Sequence, residues 1–199
     1  MSNQQSPPPA PEPNPIDNGK RRDQARQLLL NRRADSVAHL NGYLLDHLER
    51  TEGLLLSWGC SRDVSTAGLC HAVYGTDGFP TALLGLNERD VLAAVVGSEV
   101  EALVYLYASC DREFVYPRLS EGGPASFKDR FTGLVFAPTP RQLQNFVAIT
   151  LANESDVGVI GSGSLKIPEW LLSLHSNIQH LATESVREGF QDLISRADV

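Results

Sequence analysis

Apolar positions recur every three or four residues through most of the chain, a spacing that predicts helices rather than strands. Leu40, Leu44, Leu48, Thr51, Leu54, Leu55 and Trp58 form one such stripe, and His47 falls inside it. A second helix is expected from Ser61, a favourable N-cap with Asp63 in the first turn, through Val64, Ala67, Gly68 and His71. Its small residues would let the two helices approach closely. An earlier helix is expected from Asp23, with Ala25, Leu28, Leu29 and Val37 facing a core.

Turn formers make Tyr74 to Pro80 a loop, after which Asn87 is expected to cap a helix that Gly97 ends. Ser98 and Glu101 have capping-box spacing and open a helix striped by Val100, Leu103, Val104, Tyr107 and Ala108. Between Asp111 and Pro138 the periodicity breaks. Two β-prone runs, Glu113 to Tyr116 and Arg130 to Phe136, flank the Glu121-Gly122-Gly123-Pro124 turn, which predicts a hairpin or an irregular lid. Thr139-Pro140 reads as a helix start leading through Leu143, Phe146, Val147 and Thr150 to an inward-pointing Asn153. A Gly/Ser loop, Gly158 to Ser164, precedes one last long helix from Pro168, carried by Trp170, Leu174, Ile178, Leu181, Phe190 and Leu193. The sum is an all-α globule of six or seven helices with an irregular or hairpin insertion near 112–138.

At 199 residues, 42% of them hydrophobic, the chain can bury one full core. Residues 1–20 are proline-rich with almost no large apolar groups, so they predict a disordered tail, leaving 21–199 as a single domain. The tail reads as a spacer or as a ligand for a protein partner. A net charge of −7 without a Lys/Arg block argues against nucleic acid and membrane partners. The local cluster Lys20, Arg21, Arg22, Arg26, Arg32 and Arg33 reads as a salt-bridged helix face. No apolar run approaches the roughly 20 residues of a membrane span and no secretory signal is evident, so a soluble cytoplasmic protein is expected. Cys60, Cys70 and Cys110 form no CxxC pair and read as buried free thiols.

The candidate chemistry centres on His47 and His71, two core-facing imidazoles 24 positions apart. Gly42, Tyr43 and His47, followed by Gly68-Leu69-Cys70-His71, then by Glu99 to Val104 and Leu151-Ala152-Asn153, resemble an HD-superfamily domain. The resemblance is closest to the RelA/SpoT-type hydrolase domain that cleaves guanosine tetraphosphate. It implies a helical fold and a divalent metal held by His, a His-Asp pair and a distal Asp, so that the metal neutralises phosphate and activates water. Here the Asp of the pair is Ala72 and the distal Asp is Asn153, while the acidic pair that follows falls at Gly75 and Thr76. The set His47, His71 and Asn153 therefore suits one divalent transition metal, or none, better than Mg²⁺ or Mn²⁺. The run Ala67-Gly68-Leu69-x-His71-x-x-Tyr74-Gly75-Thr76 is also similar to that of an uncharacterised bacterial family, which brings no known activity.

Tyr43, Tyr74 and Thr76 are expected around the same cavity as hydrogen-bonding groups. Asp111 is the first carboxylate to consider as a replacement ligand, against its reading as a turn residue paired with Arg112 or Arg130. Asp77, Glu154 and Asp156 come behind it. His39 reads as a surface or outer residue, and His175 and His180 as structural or exposed. Three functions stay open. One is an HD-like phosphohydrolase acting on a nucleotide or small phosphorylated substrate. Another is a non-catalytic small-molecule or nucleotide-binding module with a degenerate metal site. The third is an interaction protein working through its tail or acidic surface.

Overall fold

Helix α3 (Arg62–Cys70) is the member on which the other central helices lean, and every residue from Val64 to Cys70 is buried. The computed structural model describes residues 15–40, 42–120, 126–160 and 166–197. Among them the other α-helices are α1 (Pro15–Asn31), α2 (Leu44–Ser57), α4 (Arg89–Val96), α5 (Ser98–Ala108), α6 (Arg112–Leu119), α7 (Pro140–Ser155), α8 (Glu169–Ile178) and α9 (Glu184–Ala197). The only sheets among the described residues are two small antiparallel ones, β1 (Ala38–His39) with β2 (Gly42–Tyr43) and β3 (Phe127–Lys128) with β4 (Val135–Phe136). The protein is all-α, with more and shorter helices than the expected six or seven.

Helices α1, α2, α5 and α7 pack around α3. The tightest crossing is with α2, because Gly68 presents no side chain there: a Cβ on it would lie 2.2 Å from Leu55 Cδ1. The start of α3 is as expected, with Ser61 Oγ accepting from the Val64 N–H at 3.3 Å. Helix α7 likewise starts at Thr139 and Pro140, with Thr139 and Gln142 capping each other. Its expected stripe, Leu143, Phe146, Val147, Thr150 and Asn153, is buried throughout. The basic residues of α1 hold it to its neighbours: Arg22 pairs with buried Glu52, Arg26 with Glu49 and Arg32 with Glu88. This is the salt-bridged face the sequence suggested.

Several boundaries differ, each for a local reason. Helix α1 begins at Pro15 rather than Asp23; proline at a first helical position lacks only a donor that would be unpaired there anyway. The rest of the expected tail, residues 1–14, lies outside the described residues. Asn87 sits inside a short 3₁₀ turn, Leu86–Glu88, and Gly97 at φ 88° both ends α4 and caps α5, so Ser98 is already helical.

The β-prone run Glu113 to Tyr116 is helical, within α6. Asp111 accepts from the Phe114 N–H at 3.0 Å, and Val115 and Leu119, four apart, bury one face. The hairpin lies further on and is shorter. Phe127 faces Phe136, while Asp129 folds the turn by accepting from Phe131 and Thr132 N–H groups. The expected turn at Glu121 to Pro124 lies outside the described residues. Asp156–Ile160 form a π-helical turn rather than the start of a Gly/Ser loop, whose positions 161–164 also lie outside them. The last helix is two, α8 and α9, hinged through a 3₁₀ turn at Gln179–Leu181. The hinge lets Leu171 and Ile178 on one side and Val186 and Phe190 on the other reach the same core. Trp170, expected to carry that core, is 46% exposed.

Candidate functional site

The cavity that concerns the histidines has a volume of about 210 Å³ and sits where α2, the end of α3, the Thr76–Phe79 loop, the start of α6 and the end of α7 meet. His47 enters from α2 and His71 from the C-cap of α3. Their Nε2 atoms are 3.3 Å apart, and Asn153 Oδ1 lies 3.0 Å from His47 Nε2. The structure thus brings together all three residues of the expected donor set, each at most 5% exposed.

The outer bonds of these groups settle which atoms face inward. His71 Nδ1 is 2.7 Å from the Gly68 carbonyl, which can only accept, so Nδ1 carries the proton and Nε2 a lone pair. His47 Nδ1 donates to Asp156 Oδ2 at 2.6 Å, with the same result. Asn153 Nδ2 donates to Glu154 Oε1 at 2.9 Å, leaving Oδ1 turned to the histidines. With one proton on each imidazole, His47 Nε2, His71 Nε2 and Asn153 Oδ1 converge as three acceptors. Such a triangle calls for a positive centre, either an added proton or a cation.

Electrostatics supports a neutral His71 here. Burial lowers His71 to about 3, with help from the neighbouring His47, against the raising effect of the Gly68 carbonyl. Asp156 is fully buried and also accepts two bonds from Arg50, at 2.5 and 3.1 Å. Burial alone would raise its carboxyl, but the bonds from His47 and Arg50 outweigh that and hold it below the ordinary carboxylate range.

Of the other expected cavity residues, only Thr76 lines it, with Oγ1 accepting from the Phe79 N–H. Tyr43 does not: it is the N-cap residue of α2 and is 52% exposed, because the hairpin that delivers it turns the ring to solvent. Tyr74 points to the opposite side, donating to buried Glu101, which Arg89 also pairs. Asp111 is spent on capping α6 and on an ion pair with Lys128 at 2.6 Å, so it is no replacement ligand and pairs with neither Arg112 nor Arg130.

Two residues given no inner role in the sequence face the cavity. His39 is one; its ring is 4.4 Å from that of His47 and edge-on to Phe79, and its buried Nε2 has no hydrogen-bond partner among the described residues. Burial first, and His47 second, lower it to about 4. Arg112 is the other, at the first position of α6, with Nη1 donating to Glu154 Oε1 at 3.0 Å. No sequence signal links Arg112 to Glu154, 42 positions away. His39 was legible only as a third histidine close to His47 in the chain.

Residues 28–112 match the model of a family described as a domain of unknown function, DUF6817. Over that span the chain is similar to DUF6817. The span includes His39, His47, His71 and Arg112, while Asn153, Glu154 and Asp156 lie beyond it. Neither the curated proteins nor the solved structures contain a match to the chain. Among the described residues no group of three or more His, Cys, Asp and Glu side chains is placed to hold a metal ion, and beside the two imidazoles the Asn153 amide is the nearest further donor.

Proposed function

We propose that the cavity is the site of a divergent HD-like hydrolase, in which His47, His71 and Asn153 hold one divalent transition metal and a small phosphorylated molecule is the substrate. The convergence of three lone pairs, each oriented by an outer partner, is the observation that carries this reading. A His ligand whose other nitrogen donates to a carboxylate or carbonyl is the usual arrangement around a protein metal. Two imidazoles and a neutral amide fit zinc or a neighbouring transition ion and not the harder Mg²⁺. A metal held by three protein groups keeps an open position, where it supplies Lewis acidity and lowers the pKa of bound water.

The chain's own residues would do the rest. Asp156 and Gly68 fix the two tautomers, Glu154 fixes the Asn153 amide, and Arg112 supplies a cation beside them. Leu44, Phe79 and Val157 border the cavity with apolar surface that excludes water. A volume of about 210 Å³ is below the roughly 300 Å³ at which drug-sized ligands begin to fit, so a nucleotide would enter only by its reacting end.

The test is elemental analysis of the purified protein, followed by zinc calorimetry on metal-stripped wild type, His47→Gln and His71→Ala. One zinc per chain in wild type and none in either variant is expected. Equal binding in all three would sink the reading. A second reading, binding without turnover, is favoured by one fact: Glu154 is the only carboxylate bordering the cavity among the described residues, and it is already bonded to both Arg112 and Asn153. Metal binding with no hydrolysis across a panel of phosphomonoesters would select it.

A further inference from the structure

Arg112 is held in place from three directions. Its backbone N–H donates to Asp77 Oδ2 at 2.9 Å, its Nη1 donates to Glu154, and its guanidinium carbon lies 5.6 Å from the Tyr116 ring centre. Its side chain is 26% exposed, so most of the charged fork is out of water. Yet its side-chain hydrogen bonding among the described residues uses one nitrogen, Nη1. Nε and Nη2 keep three N–H donors unused, in a side chain that borders the cavity.

The opposite wall is built to leave that side chain room. Gly78 lies against the guanidinium, and a Cβ there would come within 3.1 Å of Nη1 and 3.4 Å of Cζ. A largely buried guanidinium that borders the cavity and has donors unused among the described residues matches an anion with two coplanar or tetrahedral oxygens.

We propose that Arg112 is the anion receptor of this cavity, taking a carboxylate or phosphoryl group of a small ligand through Nε and Nη2 while Nη1 stays on Glu154. This goes beyond the metal reading, because it requires no metal. It assigns ligand recognition to a residue outside the histidine set, and it sets a size limit, since the cavity admits one anionic group and a few further atoms.

The experiment is calorimetry on metal-stripped, full-length protein at constant ionic strength, with inorganic phosphate in one series and acetate in another. Saturable binding at one site per chain is expected, and the tighter of the two anions identifies the group recognised. Arg112→Gln, its fold checked by circular dichroism, should weaken that binding at least tenfold. Arg112→Lys, which keeps the charge and loses the fork, should fall between. Gly78→Ala leaves Arg112 in the chain and should weaken binding severalfold by crowding the guanidinium; it decides the matter if Arg112→Gln does not fold. No saturable heat from either anion in wild type would overturn the proposal. So would affinity within twofold of wild type in folded Arg112→Gln, or in Gly78→Ala where Arg112→Gln fails to fold. Zinc titration of the same preparation is a separate readout, so failure of the metal reading and failure of this one are told apart.

Discussion

Replacing Asp156 with Asn removes the charge that His47 and Arg50 share while keeping the side chain's size. In the wild type the carboxylate accepts from His47 Nδ1 at 2.6 Å and from two nitrogens of Arg50 at 2.5 and 3.1 Å. An amide cannot keep all three bonds: its oxygen at the Oδ2 position can accept from His47 Nδ1 and Arg50 Nη2, but its NH₂ then replaces the acceptor of Arg50 Nε. If it faces Arg50, two donors meet. If it faces His47, the imidazole must accept at Nδ1 and carry its proton on Nε2, pointing at His71 and Asn153. Breaking a buried charge pair costs about 3–5 kcal/mol, and the lower end applies because Arg50 is 36% exposed and can turn to water. Loss of an orienting partner lowers metal affinity by about 10- to 100-fold. Urea unfolding of metal-stripped protein should therefore show Asp156→Asn destabilised by about 3 kcal/mol at pH 7, and calorimetry should show zinc weakened by at least tenfold. The pH dependence has a definite sign. A native carboxyl pKa below the unfolded value of about 4 contributes stability that is present above that value and lost as pH falls through the native one. The gap between wild type and variant should accordingly narrow below pH ~4. A variant within about 0.5 kcal/mol of wild type at pH 7, with unchanged zinc affinity, would refute the assignment of Asp156 as the group that orients His47.

Gly189→Ala is the comparison that separates stability from site geometry: a Cβ there would lie 2.1 Å from Trp58 Cδ1 and 2.5 Å from Cγ. Overpacking of about 1–3 kcal/mol should exceed the gain of about 1 kcal/mol in helix propensity, lowering the urea midpoint while zinc affinity stays at the wild-type value. With native values of about 3 for His71 and about 4 for His39, the unfolded chain takes up protons below pH ~6.5 and the fold does not. Metal-stripped protein should then lose about 1.4 kcal/mol per pH unit from His71 alone as pH drops below about 6, and His71→Leu should show a flatter profile in the same urea series. Joint replacement of Ala72 and Asn153 by Asp should raise affinity for Mn²⁺ and Mg²⁺ in calorimetry, since both positions border the cavity and carboxylates suit those ions; unchanged affinity would sink the alignment to the HD pattern.

Helices α3, α5 and α7 were legible because each is covered on its apolar face and starts or ends on a residue whose side chain or backbone makes the turn, as Ser61, Thr139 and Gly97 do. Where a boundary depended on the third dimension, the linear pattern misled. The apolar spacing from Trp170 to Leu193 runs without Gly or Pro at the break, yet on one straight helix Ile178 and Phe190 would face about 120° apart, while both are fully buried. Nor does β propensity in Phe114, Val115 and Tyr116 outweigh a capped turn with two buried anchors. The site shows the same division. His47, His71 and Asn153 converge because each lies on a buried stripe, which periodicity reveals. Tyr43 and Tyr74 lie beside these residues in the chain but outside the cavity, and Arg112 and Glu154 meet because α6 starts and α7 ends at the same corner.

Glu154 ties the Asn153 amide and the Arg112 guanidinium into one arrangement. Its Oε1 accepts from Asn153 Nδ2 at 2.9 Å and from Arg112 Nη1 at 3.0 Å. With Asp at 153, two carboxylates would sit side by side, and no donor at 153 would remain to orient Glu154. With Asn, the amide satisfies one side of Glu154 and turns its oxygen to the histidines, so the inner donor set becomes neutral. A set without carboxylates would leave any bound divalent cation with its full charge, which raises the attraction for an anion. Arg112 adds to that attraction from the same corner through the donors that its bond to Glu154 leaves unused. An ordinary carboxylate-rich site neutralises its metal with protein groups. The site as proposed would instead leave that neutralisation to the ligand, so a small anion is the partner expected to bind there.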